Sequence, residues 1–138
     1  MQFDLGVVDT RKRSEEGVEL QILGADGFPV QVRGETLAIV LAGPDSDRFA
    51  EGQRKAQKRQ MEAAEKRQEL PDGEFMAIVL SHCAISWTGV YHPGEKGKAI
   101  PCSPEAAFEL FKQYPWIREQ AKGFAGLRAN FLPPSSVK

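Results

Sequence analysis

The chain is predicted to be an α+β protein, with a small three-stranded antiparallel meander over about residues 17–42 followed by about four helices packed on it. Three observations carry this prediction. Alternating and β-branched apolar segments occur before Gly43, and period-two spacing marks strands. Beyond it, Pro44-Asp45-Ser46, Pro71-Asp72, Ser103-Pro104 and Pro115 divide the chain into helix-length pieces, each opened by residues suited to a helix start. The length of 138 residues, 41% of them hydrophobic, suffices for one packed core. One domain over residues 1–132 and a flexible tail over 133–138 are therefore expected, because Pro133-Pro134 cannot continue a helix.

The first strand is expected at residues 18–23, with Val18, Leu20 and Ile22 on one face and Glu19, Gln21 and Leu23 on the other. Ala25-Asp26-Gly27 supplies turn chemistry, and a second strand follows at about 29–32. The run Thr36-Leu37-Ala38-Ile39-Val40-Leu41 reads as the third, ended by Gly43-Pro44.

Helices are expected to cover the sheet. Asp45 and Ser46 cap the first, which reaches about residue 70 and is heavily charged. Between residues 53 and 61 it carries Arg54, Lys55, Lys58 and Arg59 with no acid, whereas Glu62, Glu65 and Glu69 follow. Its apolar stripe is thin, essentially Phe49, Ala56, Met61 and Ala64, so much of its surface faces solvent or a partner, a second copy included. The next helix, about 74–87, is apolar all round and reads as the central buried element, with His82 as a core or boundary side chain. Ser103-Pro104-Glu105 starts a helix whose stripe is Ala106, Ala107, Leu110 and Phe111. Pro115 ends it and opens the last helix, read as continuous to residue 132.

That last element presents Ile117, Ala121, Phe124 and Phe131 on one stripe, with Arg128 on the same face. A guanidinium amid aromatic rings is normally paired or stacked, because an unpaired buried charge is costly. Two jobs fit the stripe: closing the core against the sheet, or capturing a partner. The candidate partner-binding residues are Trp116, Ile117, Phe124 and Phe131, with Arg118 and Arg128 as orienting charges. The basic stretch Arg54, Lys55, Lys58 and Arg59 is a second candidate surface, suited to acidic segments.

Composition narrows the function classes. A formal net charge of −1 gives no global attraction to nucleic acid or to an anionic membrane. The basic stretch alone leaves nucleic-acid binding as a minor alternative, against which Glu51 and the later glutamates argue. No basic region followed by an apolar stretch opens the chain, so no secretory signal is expected, and the longest apolar run, 75–80, is too short to span a bilayer. Cys83 and Cys102 lack metal-ligand spacing, which points to a reduced cytosolic protein with no metal site. No phosphate-binding glycine loop, nucleophile elbow or Cys-x-x-Cys pair occurs. Neither catalytic residues nor a cofactor are expected.

Several motifs resemble, in order, those of the tail assembly chaperones of long-tailed bacteriophages and prophages. They are Phe3-Asp4-Leu5, Asp9-Thr10, Ser14-Glu15-Glu16-Gly17 and Gly43-Pro44-Asp45-Ser46-Asp47, then Trp87-Thr88-Gly89 and Ser103-Pro104-Glu105-Ala106-Ala107. The series ends with Pro115-Trp116-Ile117-Arg118-Glu119-Gln120 and Arg128-Ala129-Asn130-Phe131. Leu70-Pro71-Asp72-Gly73, Gly123 and Gly126 depart from the pattern. The resemblance implies a non-enzymatic protein of the host cytoplasm, absent from the mature virion. Such a protein binds the tape measure protein and helps the major tail tube protein polymerise around it. The alternative is a structural tail completion or minor tail protein retained in the particle.

Overall fold

The computed structural model describes residues 1–94 and 97–134. Residues 135–138 of the expected tail lie outside the described residues. In chain order the elements are α1 (Arg11–Glu16), β1 (Val18–Gln21), β2 (Gln31–Val32), β3 (Glu35–Thr36), β4 (Ala38–Leu41), α2 (Asp47–Glu65), α3 (Glu74–Cys83), β5 (Ala84–Thr88), α4 (Pro104–Gln113) and α5 (Pro115–Ala125). Short 3-10 turns at Gly6–Val8 and Arg128–Phe131 flank them. The architecture is α+β: an antiparallel sheet in the order β1-β4-β5, a separate β2-β3 ladder, and helices packed on one side.

Two of the three sheet strands fall within residues 17–42, whereas the third is β5, from a segment predicted to be helical. Apolar residues surround the axis of α3 and conceal where it stops. Its last bond runs from the amide of Ala84 to Leu80, and the backbone at Ala84 is already extended. The next residues, Ile85-Ser86-Trp87-Thr88, alternate and are β-branched or aromatic at every position but one, a composition that favours a pleated surface. Leu20, Ile39 and Trp87 consequently align across the sheet. The second predicted strand contributes only β2, and the third divides at Leu37 into β3 and β4. Leu37 joins the two parts, since its amide donates to Val30 and its carbonyl accepts from Ile22.

The helix starts follow their sequence signals. Ser46 Oγ accepts from the amide of Phe49 at the head of α2, and Ser103 Oγ accepts from Ala106 ahead of Pro104 in α4. At α3 the cap is Gly73, in left-handed conformation at φ 80°, rather than Asp72. The α3 helix is the hub, packing on α2, α4, α5 and β5 through Ala77, Val79, Leu80 and Cys83, each at most 1% exposed. On α2 the contact stripe is Gly52, Ala56 and Ala63, with Phe49 half-buried, while Met61 and Ala64 face solvent. Gly52 is required at this crossing: a Cβ there would lie 2.7 Å from the carbonyl oxygen of Val79.

The last predicted helix is interrupted. It ends at Ala125, with Gly126 as its cap and Leu127 extended, before the turn Arg128–Phe131. Asn130 Nδ2 donates to the carbonyl of Phe124, satisfying a helix-end acceptor from beyond the break. The turn carries Phe131 into the core at 0% exposure and turns Arg128 outward, so the two residues do not share a face. Phe131 sits over Gly43, where a Cβ would come within 2.7 Å of its ring.

Candidate functional site

The junction of α4 and α5 raises two aromatic side chains above the surface. A residue before proline avoids helical conformation, and Tyr114, with φ −121° and ψ 88°, breaks the chain direction there. Tyr114 and Trp116 remain 45% and 43% exposed and meet edge to face, with ring centroids 6.5 Å apart. On the Trp116 side lies a cleft of about 420 Å³ lined by Leu23, Gly24, Ala25, Trp116 and Gln120. On the Tyr114 side lies a second, of about 270 Å³, whose apolar walls include Val90, Pro93, Ile100 and Leu110. The aromatic pair thus forms the ridge between two apolar hollows.

Gln120 fixes the first hollow. Its Oε1 accepts from the amide of Leu23 and its Nε2 donates to the Leu23 carbonyl, both at 2.8 Å. The side-chain amide thereby occupies the outward edge of the strand extension, as a neighbouring strand would, and joins α5 to the hairpin that follows β1. Leu23, held in this way, keeps its own side chain 43% exposed beside Trp116.

The other candidate residues have different positions. Ile117 is 2% exposed and Phe131 0%; both are core, which corrects their reading as surface anchors. Phe124 is half-buried and stacks edge to face on Phe131 at 5.8 Å. Arg118 donates to the carbonyl of Phe111 at 2.9 Å and lays its guanidinium over Gly73, a place that any Cβ at residue 73 would take. It clamps α5 to α4 and to the start of α3. Arg128 is indeed paired, but with a carboxylate rather than among rings: its Nε and Nη2 lie 3.0–3.1 Å from Asp45. Thr10 donates to the same carboxylate. Arg128 first, and Thr10 next, hold the Asp45 carboxyl below its ordinary value.

The basic stretch on α2 is largely engaged. Arg54 and Lys55 pair with Glu51 on their own helix. Arg59 and Lys112 approach the two oxygens of Glu74 at 3.5 and 3.8 Å, joining α2, α3 and α4 around a carboxylate 9% exposed at its side chain. Among the described residues only Lys58 of the four makes no such pair. His82 is pushed toward its neutral form by burial. Burial also raises the Cys83 thiol to about 12, which removes its nucleophilic thiolate at neutral pH. No group of three or more His, Cys, Asp or Glu able to hold a metal occurs among the described residues, and no described helix is long and apolar enough to cross a membrane.

Of the residues around the two hollows, the sequence named Trp116 as a candidate but not Leu23, Tyr114 or Gln120. The signal for Leu23 was present: it is the apolar residue on the face shared with Glu19 and Gln21. The bond from Gln120 across 97 positions had no local signature.

Comparison with known proteins places the chain among proteins encoded by prophages. Residues 45–134, more than half of the chain, match the YdaY prophage protein family, and the chain belongs to that family. The matched region begins at Asp45 and contains Arg128, and so includes both members of that ion pair, together with Tyr114, Trp116 and Gln120. Nothing among curated proteins or solved structures matches the chain.

Proposed function

We propose that this prophage protein is a non-enzymatic tail assembly chaperone, which binds the tape measure protein in the host cytoplasm and promotes polymerisation of the tail tube protein around it. The observation that carries the reading is the apolar ridge of Tyr114 and Trp116 between two open hollows. A client with long apolar helical segments offers side chains at spacings of three, four and seven residues, and such anchors fit hollows flanking a rigid aromatic pair. Trp and Tyr supply large contact area at low entropic cost. Prophage origin and the ordered motifs described above support the same reading. The engagement of Arg54, Lys55 and Arg59 in ion pairs leaves α2 less suited to nucleic acid.

The test is co-expression with a tape measure protein from the same prophage. Wild-type protein is expected to keep that client in the supernatant, and Trp116→Ala combined with Leu23→Ala to lose the effect while retaining the melting temperature within a few degrees. A folded double variant that still solubilises the client would falsify this surface. Abundant copies in purified particles, measured by mass spectrometry, would instead identify a structural tail protein.

A further inference from the structure

The outward face of α2 sorts opposite charges to opposite ends. Arg54, Lys58, Met61 and Glu65 follow one another at intervals of four, three and four residues, the spacing of one helical stripe, with Glu62 at its margin. All five are exposed, Met61 at 66%. The opposite side of the helix packs on α3 with Gly52, Ala56 and Ala63 buried, so the stripe points away from its own molecule. Glu51 answers Arg54 and Lys55 together, which leaves the first end of the stripe positive in balance. Lys58, Glu62 and Glu65 have no ion-pair partner among the described residues. Lys58 and Glu62 stand one turn apart, but a cation ahead of an anion is the weaker order for such a pair. Lys66 and Arg67 come after the last helical residue and fall outside the stripe.

A face that is positive at one end and negative at the other is its own complement when turned end for end. In an antiparallel pair centred between Met61 and Glu62, position 58 of each copy lies opposite position 65 of the other. The rise between Lys58 and Glu65 is about 10 Å, so the two reciprocal pairs flank the two-fold axis at about 5 Å on either side. Helix axes pack roughly 8–10 Å apart, a gap that lysine and glutamate side chains span. The two Met61 side chains meet at the centre, where an adaptable thioether fills the space between helices. A parallel pair would instead set Lys58 against Lys58. One helix stripe buries less than the roughly 1,600 Å² of a standard interface, which makes the association weak and in exchange with monomer.

We propose that α2 is a self-association surface. Two copies pair antiparallel along residues 54–65, with Met61 at the two-fold axis and Lys58 of each copy against Glu65 of the other. The inference stands without the client reading, whose hollows lie at α4, α5 and the hairpin after β1.

Sedimentation equilibrium of the full chain, from low micromolar to near-millimolar concentration and with no client present, tests the proposal. Wild type is expected to dimerise as concentration rises. Raising sodium chloride from about 0.05 to 0.5 M should weaken that association several-fold, because salt screens exposed pairs. Lys58→Glu and Glu65→Lys, each alone, place like charges at both contacts and are expected to weaken self-association by about 10-fold or more. Mixed in equal amounts, the two variants should associate again, since each then meets the opposite charge at both contacts. Neither side chain is buried or paired in the monomer, so the melting temperature of both variants should stay within a few degrees of wild type. A monomeric wild type, single variants that associate as well as wild type, or a mixture no more associated than its components would each overturn the proposal.

Discussion

Single residues decide how closely the elements approach, and the glycines show it in opposite directions. Gly52 faces the backbone of Val79, where an added Cβ lies 2.7 Å from the carbonyl oxygen and 3.0 Å from Cα. Backbone cannot move aside as a side chain does, so Gly52→Ala is expected to cost about 1–3 kcal/mol through overpacking. Gly123, also helical, has nothing within 4 Å of its would-be Cβ. There Gly123→Ala should stabilise by about 0.4–1 kcal/mol, because the unfolded chain loses freedom at no steric cost. Urea denaturation of the two variants measures both; equal shifts would refute the assignment of Gly52 to the helix crossing.

At the scale of elements, the transition from α3 to β5 organises the molecule. One largely apolar segment, interrupted by Ser81 and His82, supplies first the central helix and then an edge strand, with no turn residue between them. Trp87 secures the strand: its indole Nε1 donates to the carbonyl of Ile100 at 2.7 Å, and the Ile100 amide donates to Val90. This ties the loop after β5 to the outer edge of the sheet and forms one wall of the hollow beside Tyr114. Trp87→Phe keeps most of the apolar contact and removes the donor, so it should cost about 1 kcal/mol. Faster amide exchange at Ile100 is its local signature. Unchanged exchange there would show that the loop is held by other contacts.

For the whole molecule, closure depends on Asp45, which gathers Thr10 from the start of the chain and Arg128 from its end at the head of α2. Nearby, Arg13 donates to the carbonyl of Leu132 at 3.0 Å and the amide of Gly43 to Ser14. Because these bonds lower the Asp45 carboxyl from its ordinary 3.8, their contribution is complete above that value and lost as pH falls through the folded-state value. Thermal melts should therefore place Asp45→Asn below wild type at pH 7, with the difference shrinking in acid below 3.8. A gap independent of pH would mean that the carboxylate charge is not what closes the chain. The ion pair is exposed on the Arg128 side, so added salt should narrow the gap as well.

The sequence by itself determined the α+β class, the starts of α2, α4 and α5 and the burial of α3. Each of these follows from local chemistry: a hydroxyl that caps, a proline that breaks, a periodicity that selects one face. Tertiary structure alone decided that β5 completes the sheet, that Phe131 and Ile117 close the core, that Arg128 pairs with Asp45 and that Gln120 holds Leu23. Those outcomes depend on groups 83 and 97 positions apart, which meet only after the helices have packed; sequence spacing carries no record of such meetings.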